Sequence, residues 1–172
     1  ISDDSSLFVN IGTTTEAVAR QLTDRRGLLV VTNNLNVVNT FRHSEGIRVM
    51  TAGGQVRRED GGIVGESTTG FIARFKVDYA VIGVSALDAD GTLLDFDTRE
   101  VRVAQAMIAN SRKVILVADS IKFERVAPVR IGNIAQIDYL VTDERPEQQF
   151  LDHCRESHVR VMIAEESGCL EL

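Results

Sequence analysis

An α/β domain, built on a doubly wound, mostly parallel sheet with helices on both faces, is the fold this sequence predicts, and three observations predict it. Short apolar runs rich in valine and isoleucine recur at 7–11, 28–31, 47–50, 77–84 and 114–118. Segments with apolar residues at helical spacing fall between several of them, and such alternation implies right-handed crossovers and parallel pairing. The first three runs also stop in small polar turns: Ile11-Gly12-Thr13-Thr14, Val31-Thr32-Asn33-Asn34 and Met50-Thr51-Ala52-Gly53-Gly54. As parallel neighbours, the runs bring all three turns out at one sheet edge, where open α/β sheets bind their ligands. Hydroxyl, amide and glycine turns at that edge suit a phosphate or a polyol better than a flat aromatic ring.

The elements follow in order. Residues 7–11 read as a short buried strand ended by Gly12, and Thr13-Thr14-Thr15-Glu16 reads as a capping box opening a helix through Ala17, Val18, Ala19 and Leu22. A second strand at 28–31 precedes a helix marked by Leu35, Val38 and Phe41, and a third strand follows at 47–50. Residues 55–64 break the rhythm: glycines and the charges Arg57, Arg58, Glu59 and Asp60 make a loop or irregular hairpin. Residues 68–75 read as helical, and 77–84, the most apolar run, as a central strand. Asp88-Ala89-Asp90-Gly91 is a turn, 97–110 a helix and 114–118 a strand. A loop, a strand at 139–141, a helix with Pro146 in its first turn and a last strand at 159–163 complete the chain.

At 172 residues, one domain with a sizeable core is expected. The net charge of -6 gives no general support for a duplex-binding stripe. Cys154 and Cys169 match no metal spacing and are too few for a disulfide framework, so reduced thiols, no metal site and a cytoplasmic protein are expected. His43, His153 and His158 lie in polar stretches and read as surface residues. No apolar run approaches the roughly 20 residues of a membrane span. The first residue is isoleucine, which reads as a fragment of something longer.

The candidate chemistry gathers at strand ends. Gly12, Thr13 and Thr14 sit at a strand-to-helix junction, where free N–H groups, partial positive charge and hydroxyls form a phosphate cradle, although helix capping alone also explains the threonines. The motifs GxxxxGK[ST] and GxGxxG are absent, which counts against an NTPase and a dinucleotide. Asn33 and Asn34 open the next helix or hold hydroxyls; Gly53 and Gly54 allow a ligand to approach the backbone or simply turn the chain. Asp97 and Glu100 initiate a helix or accept hydrogen bonds from sugar or glycerol hydroxyls, and Glu100 is a candidate general base. Lys122, just past an apolar strand, is placed to neutralise a phosphate or is simply solvated. The turn at 88–91 lacks the acid that closes a calcium loop, since Arg99 holds that place.

Taken together, Leu7-Phe-Val-Asn-Ile-Gly-Thr-Thr-Thr15, Thr32-Asn-Asn34, Ala52-Gly-Gly54, Gly61-Gly-Ile-Val-Gly-Glu66 and Ala118-Asp-Ser-Ile-Lys-Phe123 occur in an order that resembles the C-terminal effector-sensing domain of DeoR-family transcriptional repressors. The resemblance runs from about residue 7 to residue 164. It implies a sensor domain over 7–172 with 1–6 as a linker remnant, and a fold shared with ribose-5-phosphate isomerase and coenzyme A transferases. It also implies a phosphorylated polyol or sugar as effector, glycerol-3-phosphate foremost, whose binding relieves repression. Operator DNA would be met only through a helix-turn-helix region ahead of this chain, and the assembly would be a homo-oligomer, dimer or tetramer. The implied ligand set is Gly12, Thr13, Thr14, Asn33, Asn34, Gly53, Gly54, Glu66, Asp97, Glu100 and Lys122, with no cofactor. Glu100 and Lys122 also match the isomerase's base and lysine, which leaves a phosphosugar isomerase as the alternative. The isomerase's glycine-rich, lysine-containing stretch is replaced here by Leu93-Leu94-Asp95-Phe96, which points to a sensor rather than an enzyme.

Overall fold

The computed structural model describes residues 1–165 and 168–172. The chain runs β1 (Ser6–Val9), α1 (Thr13–Gln21), β2 (Leu28–Thr32), α2 (Leu35–Phe41), β3 (Ile47–Thr51), β4 (Gln55–Val56), β5 (Ile63–Val64), α3 (Glu66–Ile72) and β6 (Val77–Ile82). It continues through β7 (Ala86–Leu87), β8 (Thr92–Asp95), α4 (Thr98–Ala109), β9 (Ser111–Val117), a 3-10 turn (Ser120–Phe123), β10 (Val129–Asn133) and a second 3-10 turn (Ile134–Gln136). β11 (Tyr139–Thr142), α5 (Gln148–Glu156), β12 (Arg160–Glu165) and β13 (Gly168–Glu171) complete it.

The main sheet has the order β13-β12-β11-β9-β6-β1-β2-β3. Every pair in it is parallel except β12 with β13. Successive strands step one way from β1 through β2 to β3, then the other way from β6 through β9 and β11 to β12. The reversal falls between β1 and β6, so the carboxyl ends of those two strands flank the topological switch point.

Strand alternation explains the two-sided core. Leu7 and Val9 join Val30, Val37 and Phe41 on the face covered by α1 and α2. Phe8, between them in sequence, points the other way, to Ile72, Ile82, Met107 and Leu116 under α3 and α4. A strand buried on both faces needs no polar alternation, which is why residues 7–9 of β1 and 80–82 of β6 read as unbroken apolar runs. Phe150, Leu151 and Cys154 of α5 close the same side further along the sheet, and burial pushes the Cys154 thiol up to about 11.

Several elements differ from the sequence reading, each for a physical reason. β13 pairs antiparallel with β12, and its residues are all exposed, so it carries no apolar signature. β7, β8 and β10 form a separate three-stranded antiparallel sheet that β10 joins from across the chain. Gly65, at φ 124°, starts α3 at Glu66, earlier than apolar spacing suggests. Pro146 precedes the N-cap Glu147 instead of occupying the first turn of α5. Residues 55–64 do form a hairpin, β4 against β5. At the start of the chain, Asp4 N–H donates to Arg26 O, and the Ser6 N–H and hydroxyl both donate to Asp78, so these residues are bonded into the domain.

Candidate functional site

A cleft of about 240 Å³ opens at the switch point. The turn after β1, the turn after β6, the β4–β5 hairpin, the N-terminus of α4 and the 3-10 turn after β9 all contribute to it.

One wall is the start of α1. Gly12 is the N-cap at φ 137°, a conformation that disfavours any side chain. No side chain caps this helix, so the capping box between Thr13 and Glu16 does not form. Thr15 donates instead to Asn10 O at 2.8 Å and Gly12 O at 2.7 Å, which ties the turn down from beneath. Glu16 turns away to accept Asn34 Nδ2 at 3.0 Å and Asn36 Nδ2 at 2.9 Å. The first-turn N–H groups are therefore left without a side-chain cap beside the cleft, which Gly12, Thr13 and Thr14 line with the positive end of the helix behind them. Lys122 reaches the same cleft from the turn after β9, and among the described residues it has no carboxylate partner.

The opposite wall is acidic. Asp97 caps α4 by accepting Arg99 N–H at 2.8 Å. One turn on, Glu100 is 8% exposed and ion-paired with Arg57 at 2.6 Å. Arg57 also bonds Asp97 at 3.2 Å and Asp60. Asp95, at the end of β8, is buried and accepts Ser85 Oγ at 3.1 Å and Phe96 N–H at 2.6 Å. Burial, then the charge of Asp95, pushes the Glu100 carboxyl up to about 7 against the pull of Arg57. The side-chain hydrogen bond from Arg99 holds Asp97 well below the usual carboxylate range. For Asp60, burial works upward, but the bond from Arg57, the Gly62 N–H and the Arg57 charge together outweigh it, and the net shift is down.

The structure brings Gly12, Thr13, Thr14, Asp97, Glu100 and Lys122 together, as the sequence suggested. Asn33 and Asn34 do not line the cleft: both are fully buried. Asn34 caps α2 through Asn36 and Val37, and Asn33 Nδ2 donates to Ile63 O at 3.1 Å, pinning the hairpin to the sheet. The glycine pair is also outside. Gly53 is open to solvent, and a Cβ on Gly54 would meet Thr68 Oγ1 at 2.4 Å, so the close approach there is to α3. Glu66 lies exposed in the first turn of α3, away from the cleft. Sequence reading missed Arg57, Asp60 and Ser85 as cleft residues. The one signal was the charged pair Arg57 and Asp60, set between two glycine pairs.

A small polar cleft at the switch point of an open sheet makes this a small-ligand-binding domain of the doubly wound class. Comparison with known proteins narrows the class. The sequence profile of the DeoR C-terminal sensor domain matches residues 1–144, and the chain belongs to that family. It is 45% identical over 163 residues to the glycerol-3-phosphate regulon repressor of Escherichia coli strain K12, covering 95% of this chain and 65% of that protein. Identity to the Haemophilus influenzae protein of the same name is 44%, over 95% of this chain and 63% of the relative. The HTH-type transcriptional repressor CsqR of Escherichia coli is 39% identical, over 98% and 64%. The chain thus spans a little under two thirds of the length of these relatives. Ribose 5-phosphate isomerase A of Methanocaldococcus jannaschii shares the fold, with TM-score 0.54 at 11% identity over 100% of this chain and 92% of that one. The Plasmodium falciparum isomerase does so at TM-score 0.52 and 12% identity, with the same coverage.

Proposed function

We propose that this domain binds a phosphorylated polyol or sugar, glycerol-3-phosphate foremost, and that binding relieves repression by the longer regulator to which such a domain belongs. The observation that carries the reading is the polarity of the cleft. One end offers the uncapped start of α1 with Thr13, Thr14 and Lys122, and the other offers the carboxylates Asp97 and Glu100. Phosphate suits the first end, because N–H groups, hydroxyls and an ammonium converge there. Hydroxyls suit the second, as donors to carboxylate oxygens. Relatives named for a glycerol-3-phosphate regulon support the choice of effector. The ligand set is accordingly Gly12, Thr13, Thr14, Asp97, Glu100 and Lys122. Operator DNA would be contacted by a helix-turn-helix region elsewhere in the longer protein, working in the cytoplasm as a dimer or tetramer. Effector binding shifts the regulator between two states by no more than the difference in affinity for them.

Calorimetry with glycerol-3-phosphate tests the reading. Lys122→Ala is expected to weaken binding by about 1–3 kcal/mol, the value of a lost charge-assisted bond. Unchanged affinity removes Lys122 from the site.

One observation favours a second reading, a phosphosugar isomerase: a carboxyl shifted up to about 7 has the proton affinity of a general base at neutral pH. Against it, Glu100 is bound by Arg57. Turnover of pentose or hexose phosphates that disappears in Glu100→Gln would establish the enzyme; binding without turnover supports the sensor.

A further inference from the structure

The two ends of the cleft differ in how fully their cations are spent. Lys122 has no carboxylate partner among the described residues. Arg57, by contrast, is shared among three carboxylates. Its Nε meets Asp60 at 3.2 Å, one terminal nitrogen meets Asp97 at 3.2 Å, and the other meets both Asp60 and Glu100. A guanidinium carries five N–H groups, so four such contacts leave almost nothing to offer a ligand. Asp95 completes the wall, and its partners among the described residues are neutral: Ser85 Oγ, Phe96 N–H and, at 3.5 Å, Asp97 N–H. Arg99, the other guanidinium bonded to this wall, is half exposed and turned onto Asp97 and Gln55. Four carboxyls therefore face two guanidinium groups.

We propose that this acidic wall sets the class of ligand: the cleft takes a phosphate ester whose far end carries neutral hydroxyls and refuses one whose far end is a carboxylate, with Asp95 and Glu100 as the specificity-determining side chains. The proposal rests on the reading of the cleft as a phosphate-ester site. A hydroxyl needs only an acceptor, and the carboxylate oxygens provide it. A ligand carboxylate would have to displace Glu100 from Arg57, leaving a buried carboxylate unpaired, or stand as a fifth negative group beside the other four. Like charges about 5 Å apart in a partly buried site, at an effective dielectric constant near 20, disfavour the acid by roughly 100-fold.

Glycerol-3-phosphate and 3-phosphoglycerate test this directly, since they share a three-carbon skeleton and differ in a hydroxymethyl against a carboxylate. Titration calorimetry at pH 8, where both phosphates are dianions, is expected to give the polyol ester about 100-fold the affinity of the acid. Asp95→Asn and Glu100→Gln, each verified as folded by a cooperative thermal transition, should shrink that preference about tenfold by admitting the acid. Equal affinities in the unaltered domain overturn the selectivity while leaving the phosphate seat standing. A preference undiminished in both variants also overturns it. Failure of both esters and of inorganic phosphate to bind overturns the phosphate seat, and the selectivity with it.

Discussion

Glu100→Gln should change how stability depends on pH, because it deletes a titrating group without changing side-chain shape. The Glu100 carboxyl is pushed from its ordinary value of 4.5 up to about 7, first by burial and then by Asp95. The folded chain therefore holds a proton that the unfolded chain has released between those two values. Glu100's contribution to stability is present in full below pH 4.5 and is lost as pH rises through 7. At 1.36 kcal/mol per pKa unit, that loss amounts to about 3 kcal/mol. The residue is only 8% exposed, so solvent screening removes little of it. Glutamine has no such titration and can still present an oxygen to Arg57. Urea unfolding of both proteins at several pH values between 4 and 8, at matched protein concentration, measures the effect. The stability of the variant relative to the parent should rise by about 3 kcal/mol across that range. A difference that stays level within about 0.5 kcal/mol, the ordinary scatter of a surface substitution, refutes the account of Glu100 as a desolvated carboxyl beside Asp95.

Asn34→Ala removes the cap of α2 and the partner of Glu16 from a fully buried position, and should cost about 1–3 kcal/mol in chemical unfolding. Gly54→Ala forces a Cβ to within 2.4 Å of Thr68 Oγ1 and 2.8 Å of Val64 O, an overpacking that should cost about 1–3 kcal/mol. Gly53→Ala, with nothing within 4 Å of its Cβ, is the control and should change stability by no more than about 0.5 kcal/mol. Equal effects at the two glycines in a thermal melt would remove the packing explanation.

Much of the fold was legible locally because its determinants are local. The nearly unbroken burial of β1 and β2 and the period-3.6 burial in α4 are written in consecutive residues, as is the capping of α4 by Asp97. β13 escaped because its exposed residues carry no apolar pattern, and β10 because its alternation stops after Val129 and Ile131 and its partner β8 lies far away in the sequence. In the site, strand-end residues were visible for the same reason that the strands were. Asn33 and Asn34 show where such reading stops. Amides in an edge turn are equally suited to a ligand or to backbone groups, and here the hairpin and α2 claim both side chains.

By itself, then, the sequence determined an alternating α/β domain with polar turns at the carboxyl ends of its strands, and a helix start rich in threonine beside a later glutamate and lysine. Only the tertiary structure decided that β1 lies beside β6, which makes the first turn, rather than all three, the wall of the cleft. It also brought Arg57 across to Asp97, 40 residues away, where one guanidinium holds the acidic wall together. The physical reason is reach. Periodicity and caps act within a few residues, whereas the charge balance of a cleft depends on side chains that only the packed sheet brings into contact.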